Sequence, residues 1–317
     1  MIPLGLVTGF LGSGKTTLLR AVAAENRHRR LAYLVNEFSS LDVDGALLSA
    51  EGVDAIRVPG GSIFCRCLVT EFVGHLRRIA EDCGTTPAGG ARRQGEEVDA
   101  AGASGIEGLV VEASGISDPR VLGTMLRETR LDGAYRLAST TTVVDPCSLP
   151  KLLRTLPSIR AQIECADTIL INKADLGTEE AMAEAEALVR ALRPSARIVR
   201  TVRCRPMPAL FEETGLEPAS KGDYAPCRDP LFEALAVPPA SEVSVEELRS
   251  RLEALASEIY RVKGIVRSGG RLQRIDFGPS GFSAAPAEAG AAATGLAVIA
   301  RGGSPAAAAI LELLGRH

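Results

Sequence analysis

Short apolar runs alternate with amphipathic stretches along most of the chain. The apolar runs predict strands at 2–8, 31–36, 54–58, 108–113, 138–145, 168–172 and 196–201. The stretches between them carry apolar residues at helical spacing and predict helices at 15–26, 69–82, 119–129, 158–166 and 178–193. Strands that alternate with helices form a parallel sheet covered by helices on both faces. The predicted fold class is therefore α/β, with a mostly parallel, doubly wound sheet.

The pattern changes beyond residue 205. A proline-bearing stretch at 206–230 predicts a linker. The remainder predicts a small α+β domain, with strands at 232–237, 259–266, 272–277 and 296–300 and helices at 244–258 and 305–315. A chain of 317 residues exceeds what one core usually organises, so we expect one domain at 1–205 and a second at 231–317. Residues 84–105 are rich in glycine, alanine and charge, and predict a mobile surface loop.

A phosphate loop follows the first predicted strand. Residues 9–16 read Gly-Phe-Leu-Gly-Ser-Gly-Lys-Thr, the G-x-x-x-x-G-K-T pattern. Its glycines permit the positive backbone dihedrals that turn N–H groups inward around phosphate, and the next helix adds the positive end of its dipole. The lysine would bridge the β- and γ-phosphates and the first threonine would bind Mg²⁺. The residues predicted to bind the phosphates and their metal are Gly12, Ser13, Gly14, Lys15, Thr16 and Thr17.

A second nucleotide motif follows the predicted strand at 168–172. It reads Asn172-Lys173-Ala174-Asp175, which is N-K-x-D. The carboxylate of Asp175 can accept from guanine N1–H and the exocyclic amine together, and adenine lacks that pair of donors. Asn172 would bridge guanine N7 to the phosphate loop, and the stem of Lys173 would lie over the base. Together the two motifs predict a protein that binds GTP and GDP.

Acidic residues at other strand ends are candidates for the magnesium site. In doubly wound sheets, ligands bind at the carboxyl ends of the strands. Glu37 and Glu112 each end a predicted strand, and we expect them to organise Mg²⁺ and water for hydrolysis together with Lys15. Asp118 and Asp145 each precede a proline, which favours helix caps and turns.

Composition excludes several classes of partner. A net charge of −3 argues against nucleic acid as the main partner. The longest apolar runs fall short of the roughly 20 residues of a membrane span, and the first strand lacks a basic lead and a cleavage site. We therefore expect a cytoplasmic protein. Its seven cysteines are then thiols or metal ligands in a reducing compartment.

Taken together, these motifs resemble the CobW-type P-loop GTPases, which belong with the UreG and HypB nickel-insertion GTPases. The resemblance covers residues 1 to about 202 well and the C-terminal domain more loosely. It implies a slow GTPase that dimerises around its nucleotide and carries a transition metal, or helps to load one into a client metalloenzyme. The motifs that carry it are Gly-Phe-Leu-Gly-Ser-Gly-Lys-Thr-Thr at 9–17, Val-Asn-Glu-Phe at 35–38, Glu-Ala-Ser-Gly-Ile-Ser-Asp-Pro at 112–119, Gln-Ile-Glu-Cys-Ala-Asp at 162–167, Asn-Lys-Ala-Asp-Leu at 172–176 and Tyr-Arg-Val-Lys-Gly-Ile at 260–265.

The chain departs from this family at the metal-binding cysteines. Relatives usually carry Gly-Cys-x-Cys-Cys after the third strand, whereas residues 61–65 here read Gly-Ser-Ile-Phe-Cys. Ser62 and Phe64 occupy two cysteine positions, Cys65 is kept, and Cys67 is added. Two thiolates can bind one soft ion such as Zn²⁺ or Co²⁺, but cannot complete a tetrahedral site. His75 or a second subunit would supply the rest; alternatively, both cysteines are small buried apolar residues.

Three functions follow from these observations. The first is a GTPase that acts as a metallochaperone or metallocofactor-insertion factor. The second is a client-directed GTPase switch that carries no metal, which the altered cysteines and the presence of only three histidines favour. The third is a P-loop kinase or ATP-driven transferase, which the N-K-x-D motif disfavours. We expect the first, without an obvious general base, so that fast hydrolysis would need a partner.

Overall fold

A computed structural model describes most of the chain. It covers residues 1–37, 55–59, 62–66, 68–84, 105–213, 222–225, 232–237, 242–278, 281–287, 295–304, 309–310 and 312. The described residues up to 225 form one compact unit, and those from 232 onward form a second. The mobile loop predicted at 84–105 falls almost entirely outside the described residues, and the domain boundaries predicted from the sequence stay predictions.

The first unit contains a seven-stranded, all-parallel sheet, which confirms the predicted fold class. Its order is β3-β2-β4-β1-β5-β6-β7, so β1 lies at the centre with β4 and β5 beside it. The carboxyl ends of these central strands meet at the point where the order of the strands reverses, which is where such sheets bind ligands. The strands are β1 (Ile2–Thr8), β2 (Leu31–Glu37), β3 (Ala55–Pro59), β4 (Gly108–Glu112), β5 (Tyr135–Val144), β6 (Thr168–Ile171) and β7 (Arg197–Arg200).

Helices connect these strands close to the predicted positions. Asp118 caps a short 3₁₀ helix at Pro119–Val121 by accepting from Arg120 N, as its position before a proline predicts. The α-helices are α1 (Lys15–Glu25), α2 (Val69–Asp82), α3 (Leu122–Glu128), α4 (Leu149–Thr155), α5 (Pro157–Glu164) and α6 (Glu179–Leu192).

Helix α4 was not predicted from the sequence. Pro150 and Pro157 stand at its two ends and indicate breaks in a helix. Both prolines instead occupy the first turn of a helix, where the missing N–H costs nothing. Two short helices therefore fit where the sequence predicts one.

Alternate residues of the strands point to opposite faces of the sheet, and helices bury both faces. Leu4 and Leu6 of β1 pack in a cluster with α2 and α3, whereas Val7 packs in a second cluster with Leu18 and Leu19 of α1. Burial on two faces explains why the strands are almost continuously apolar. The core thus fixes the strand ends that carry the polar motifs.

The second unit is a five-stranded antiparallel sheet with a helix, in agreement with the predicted α+β domain. The sheet order is β11-β10-β9-β12-β8, and Leu248 and Leu252 of α7 pack on it. Helix α7 ends at Ala254, four residues before the predicted end. Its elements are β8 (Phe232–Val237), α7 (Val245–Ala254), β9 (Ile259–Ser268), β10 (Arg271–Gly278), β11 (Gly281–Pro286) and β12 (Gly295–Arg301).

Strand β11 was not predicted either, because it is an edge strand of small, mostly exposed residues and so lacks an apolar pattern. Of the helix predicted at 305–315, residues 309, 310 and 312 are described, and they are helical. None of the described helices is long and apolar enough to cross a bilayer.

Candidate nucleotide-binding site

The phosphate loop connects β1 to α1 and adopts the backbone that its glycines predict. Gly9, Gly12 and Gly14 have φ values of 134°, 77° and 120°. A Cβ atom on Gly14 would lie 2.3 Å from Asn172 Nδ2, and one on Gly9 would lie 2.1 Å from Val143 O. Both positions therefore exclude a side chain for steric as well as dihedral reasons.

Lys15 and Glu112 meet beside this loop. Their Nζ and Oε1 atoms are 3.8 Å apart, and each side chain is 6% exposed. The ammonium also lies 3.4 Å from Phe10 O, within the loop. Glu112 reaches this place because β4 pairs with β1 in the register that sets it opposite Val7. A buried cation and a buried carboxylate thus lie together where phosphate and Mg²⁺ are expected.

The end of β2 contributes a second polar side chain, Asn36. Its Oδ1 accepts from Ile63 N and Ser114 N at 3.0 and 3.2 Å, and its Nδ2 donates to Val58 O at 3.0 Å. Asn36 therefore ties together the segments that follow β3 and β4. The neighbouring Glu37 ends β2, but its side chain lies outside the described residues.

A tight turn at residues 114–117 follows β4. A Cβ on Gly115 would lie 2.6 Å from Leu11 N, so the backbone at Gly115 packs directly on the phosphate loop. Ser117 N donates to Ser114 O, and the hydroxyls of Ser114 and Ser117 are 2.7 Å apart. The hydroxyl of Ser62 lies 2.7 Å from that of Ser117 on the other side. These hydroxyl groups are buried, and they fix the turn against the segment that follows β3.

Asn172 connects the phosphate loop to the base side of the site. Its Nδ2 donates to Ser13 O at 2.8 Å, which is the bridge predicted from the motif. Its Oδ1 accepts from Cys204 N at 2.9 Å and from Thr201 Oγ1 at 3.1 Å. Among the described residues, the second N–H of this amide has no acceptor. Asp175, three residues on, is exposed.

Lys173 is oriented by a contact that the sequence analysis did not predict. Its Nζ lies 2.7 Å from Asp145 Oδ2, and its backbone has a φ of 63°. Asp145 Oδ1 accepts from Cys147 N, so the expected turn role is present as well. The ion pair joins the ends of β5 and β6, and it was missed because nothing in either local sequence specifies the other partner.

Cys204 was also missed. Its side chain is fully buried, and its Sγ donates to Gly14 O at 3.3 Å. Burial raises the pKa of this thiol to about 12, so it is protonated at neutral pH. The left-handed φ values of Arg203 and Cys204, 51° and 59°, bring the thiol under the phosphate loop. Neither residue type signals that conformation in a sequence.

The segment that carries the candidate transition-metal ligands is built into the core. Ser62 Oγ accepts from Phe64 N at 3.2 Å, and Phe64 packs edge-on against Phe72 with ring centroids 6.2 Å apart. Cys65 is buried, and its carbonyl accepts the first N–H groups of α2. Cys67 lies outside the described residues.

His75 does not join a metal cluster among the residues that the structure describes. Its Nε2 lies 3.9 Å from Glu71 Oε1, one turn away on α2. Within the described ranges, His, Cys, Asp and Glu side chains form no group of three suited to a metal ion. The candidate metal site from Cys65, Cys67 and His75 therefore stays a prediction.

The amino-acid sequence matches a known family and several named proteins. The model of the CobW/HypB/UreG nucleotide-binding domain matches residues 3–200. The zinc chaperone YeiR of Escherichia coli is 31% identical over 177 residues, which are 55% of this chain and 47% of YeiR. The zinc chaperone CobW of Pseudomonas aeruginosa is 27% identical over 242 residues, or 66% of this chain and 59% of that protein. The chain spans about half the length of the curated relatives it matches.

Solved structures also match the chain, at lower sequence identity. Zn(II)-bound YjiA GTPase from Escherichia coli is 20% identical, with a TM-score of 0.44 and 98% of each chain covered. HypB from Helicobacter pylori in complex with nickel is 17% identical, with a TM-score of 0.39 and coverage of 65% of this chain and 80% of HypB.

Proposed function

The chain belongs to the CobW/HypB/UreG family, and from that premise we propose that it binds GTP with Mg²⁺, hydrolyses it slowly, and serves as a metallochaperone or metallocofactor-insertion factor. Its partner is a client metalloenzyme, and it works in the cytoplasm. The relatives are named zinc chaperones and, in Dictyostelium discoideum, a zinc-regulated GTPase metalloprotein activator, which supports this proposal.

The bridge made by Asn172 carries the proposal of guanine binding. Its amide links the N-K-A-D segment to Ser13 of the phosphate loop, so the two nucleotide motifs form one site. A phosphate held by the loop then fixes where the base lies, beside Asn172 and the exposed carboxylate of Asp175. That carboxylate matches the two donors on guanine.

The Lys15–Glu112 pair supports a phosphate and magnesium site. Thr16 and Glu112 offer the oxygen ligands that Mg²⁺ prefers, and Glu37 stands at the end of the neighbouring strand. Lys15 would move from Glu112 to phosphate oxygens when nucleotide binds, since both groups then gain a stronger partner. Without an added general base or an arginine from a partner, turnover would be about 10⁻⁴ to 10⁻² per second.

Guanine recognition is tested by Asp175→Asn. The amide can donate to the carbonyl that xanthine carries in place of the guanine amine, so the variant should lose GTP and gain xanthosine triphosphate. A site that relies on such hydrogen bonds discriminates by roughly 10⁴. Competition binding with GTP, ATP and xanthosine triphosphate measures the change.

Asp132→Asn is the matched control, because Asp132 is an exposed aspartate outside the site. It should keep the wild-type order of affinities. Unchanged GTP preference in Asp175→Asn would contradict the role of Asp175 in guanine recognition. A wild-type protein that binds ATP as tightly as GTP would favour the P-loop kinase or ATP-driven transferase instead.

A client-directed switch without metal cargo is the second candidate. The buried contacts of Ser62 and Phe64 favour it, because the side chains at two of the family's cysteine positions serve internal packing. The metal content of the purified protein, measured with and without GTP, separates the two functions. Stoichiometric zinc or cobalt supports the metallochaperone, and its absence in both states supports the switch.

A further inference from the structure

Gln162 lies outside the nucleotide motifs, yet it contacts the turn that packs on the phosphate loop. It belongs to α5 and is fully buried. Its Nε2 donates to Ser117 O at 2.9 Å and to Gly115 O at 3.3 Å. Both N–H groups of one amide are therefore used on a single turn of the backbone. Among the described residues no group donates to Gln162 Oε1, so the side chain contributes donors only.

The backbone of Gln162 is tied to the other side of the phosphate loop. Thr142 Oγ1 donates to Gln162 O at 2.8 Å, and Thr142 Oγ1 is also 2.8 Å from Thr8 Oγ1. A hydroxyl has one proton, so Thr8 must be the donor in the second contact. Thr8 is the last residue of β1, immediately before the loop. Gln162 is thus connected to the start of the loop through its carbonyl and to the turn at 114–117 through its amide.

The turn at 114–117, which Gln162 holds, lies against the phosphate loop. Gly115 packs on Leu11 with no room for a side chain, and Glu112 lies three residues before it beside Lys15. A terminal phosphate bound at Lys15 would approach the backbone of this turn. The direction of the Gly115 carbonyl oxygen depends on the ψ angle of Gly115. The hydrogen bond from Gln162 to that oxygen therefore limits ψ at the residue whose backbone packs on the phosphate loop.

We propose that Gln162 is a positioning residue that holds the Gly115–Ser117 turn where it can meet the terminal phosphate, and that it thereby sets the preference for GTP over GDP. This inference rests on the proposed GTP-binding function. Gln162 touches no nucleotide itself and acts through the turn.

Gln162→Met tests the inference, because methionine keeps the length of the side chain and removes both donors. Affinities for GDP and for a non-hydrolysable GTP analogue are measured by competition against a fluorescent guanine nucleotide. The ratio of GTP-analogue to GDP affinity should fall by about tenfold or more, since small displacements of positioning groups have effects of that size. GDP affinity should stay within about threefold of wild type, because GDP has no terminal phosphate to meet the turn.

Ser139→Ala is the matched control. Ser139 is also a buried side chain that donates to a backbone carbonyl, that of Leu210, and it does not contact the turn. It should leave the affinity ratio unchanged. If Gln162→Met does not fold, Gln162→Leu serves instead, because leucine is also apolar, is similar in size and removes both donors to the turn. The same fall in the ratio is expected.

The outcomes separate the inference from the proposed function. An unchanged ratio in the variant, or an equal loss of both affinities, gives Gln162 a purely structural role and overturns the inference alone. A wild-type protein that binds GTP and GDP equally also overturns the inference and leaves guanine binding intact. A wild-type protein that binds no guanine nucleotide overturns both.

Discussion

At the scale of single residues, Ser62 and Phe64 stand where the sequence resemblance predicts cysteines, and their side chains make internal contacts. Ser62 keeps a polar atom but directs it to Ser117 and to Phe64 N. Cys65 remains, with its side chain buried. A metal ion at Cys65 would therefore need the segment to open or to receive ligands from Cys67, a client or a second subunit.

The pair Cys65 and Cys67 should bind Co²⁺ through thiolate. Binding would give an intense near-ultraviolet charge-transfer band, and because the metal displaces thiol protons the affinity should rise with pH. Replacing both cysteines by serine should remove the band and leave GTP affinity unchanged. Absorption titration with Co²⁺ at two pH values measures the band and the pH dependence of the Co²⁺ affinity.

Cys147→Ser is the control, because Cys147 is an exposed thiol whose loss should leave the band intact. A double variant that binds Co²⁺ as tightly as wild type would contradict the cysteine assignment. A wild-type protein that binds none in any nucleotide state would leave the client-directed switch.

At the scale of elements, the segment at 62–66 is a packed connection between β3 and α2. Phe64 and Phe72 are both fully buried, and their rings meet at an interplanar angle of 89°. Cys65 pairs with Ala225 as an isolated bridge, which adds a later part of the chain to the same layer. The aromatic contact and this bridge stabilise the segment without a metal ion.

Replacing Phe64 by the cysteine that the family resemblance predicts there should destabilise the fold. Phe64→Cys removes most of a buried ring, and we expect it to lower the free energy of unfolding by about 2–4 kcal/mol, just under the range for Phe→Ala. Urea unfolding followed by circular dichroism measures it, since the chain has no tryptophan.

Leu176→Ala is the control for this measurement, because Leu176 is 70% exposed and its truncation should cost about 0.5 kcal/mol or less. A Phe64→Cys variant as stable as this control would mean that the ring contributes little to the core.

The sequence predicted the parts of the fold that depend on local pattern. The strands of the parallel sheet and the glycine backbone of the phosphate loop follow from runs of apolar residues and from the motif itself. The contacts of Asp145 with Lys173, of Cys204 with Gly14 and of Gln162 with the turn could not be predicted, because each joins residues far apart in the chain. A single sequence specifies the partners of such side chains only through the complete fold.

At the scale of the whole molecule, exposed apolar residues lie next to the base side of the site. Leu176, directly after Asp175, is 70% exposed, and Val202, directly after Thr201, is 42% exposed. The family resemblance implies a nucleotide-dependent homodimer, and we propose that these two side chains lie in its interface.

GTP with Mg²⁺ should therefore shift the protein from monomer to dimer, and GDP should reverse the shift. Multi-angle light scattering gives the mass in each state. Leu176→Ser should weaken the dimer, because it removes apolar area from the interface, whereas Leu137→Ser, at an exposed leucine elsewhere, should not. One mass in every nucleotide state would contradict the proposed assembly.

The burial of Cys204 beneath Gly14 also makes the nucleotide site observable from within. With a pKa near 12 and no exposed surface, this thiol can be alkylated only when the structure around it opens. Because Gly14 is part of its cover, a ligand that stabilises the phosphate loop should slow the labelling of Cys204. The labelling rate of Cys204 therefore reports nucleotide binding without an added dye, which would block the site at this position.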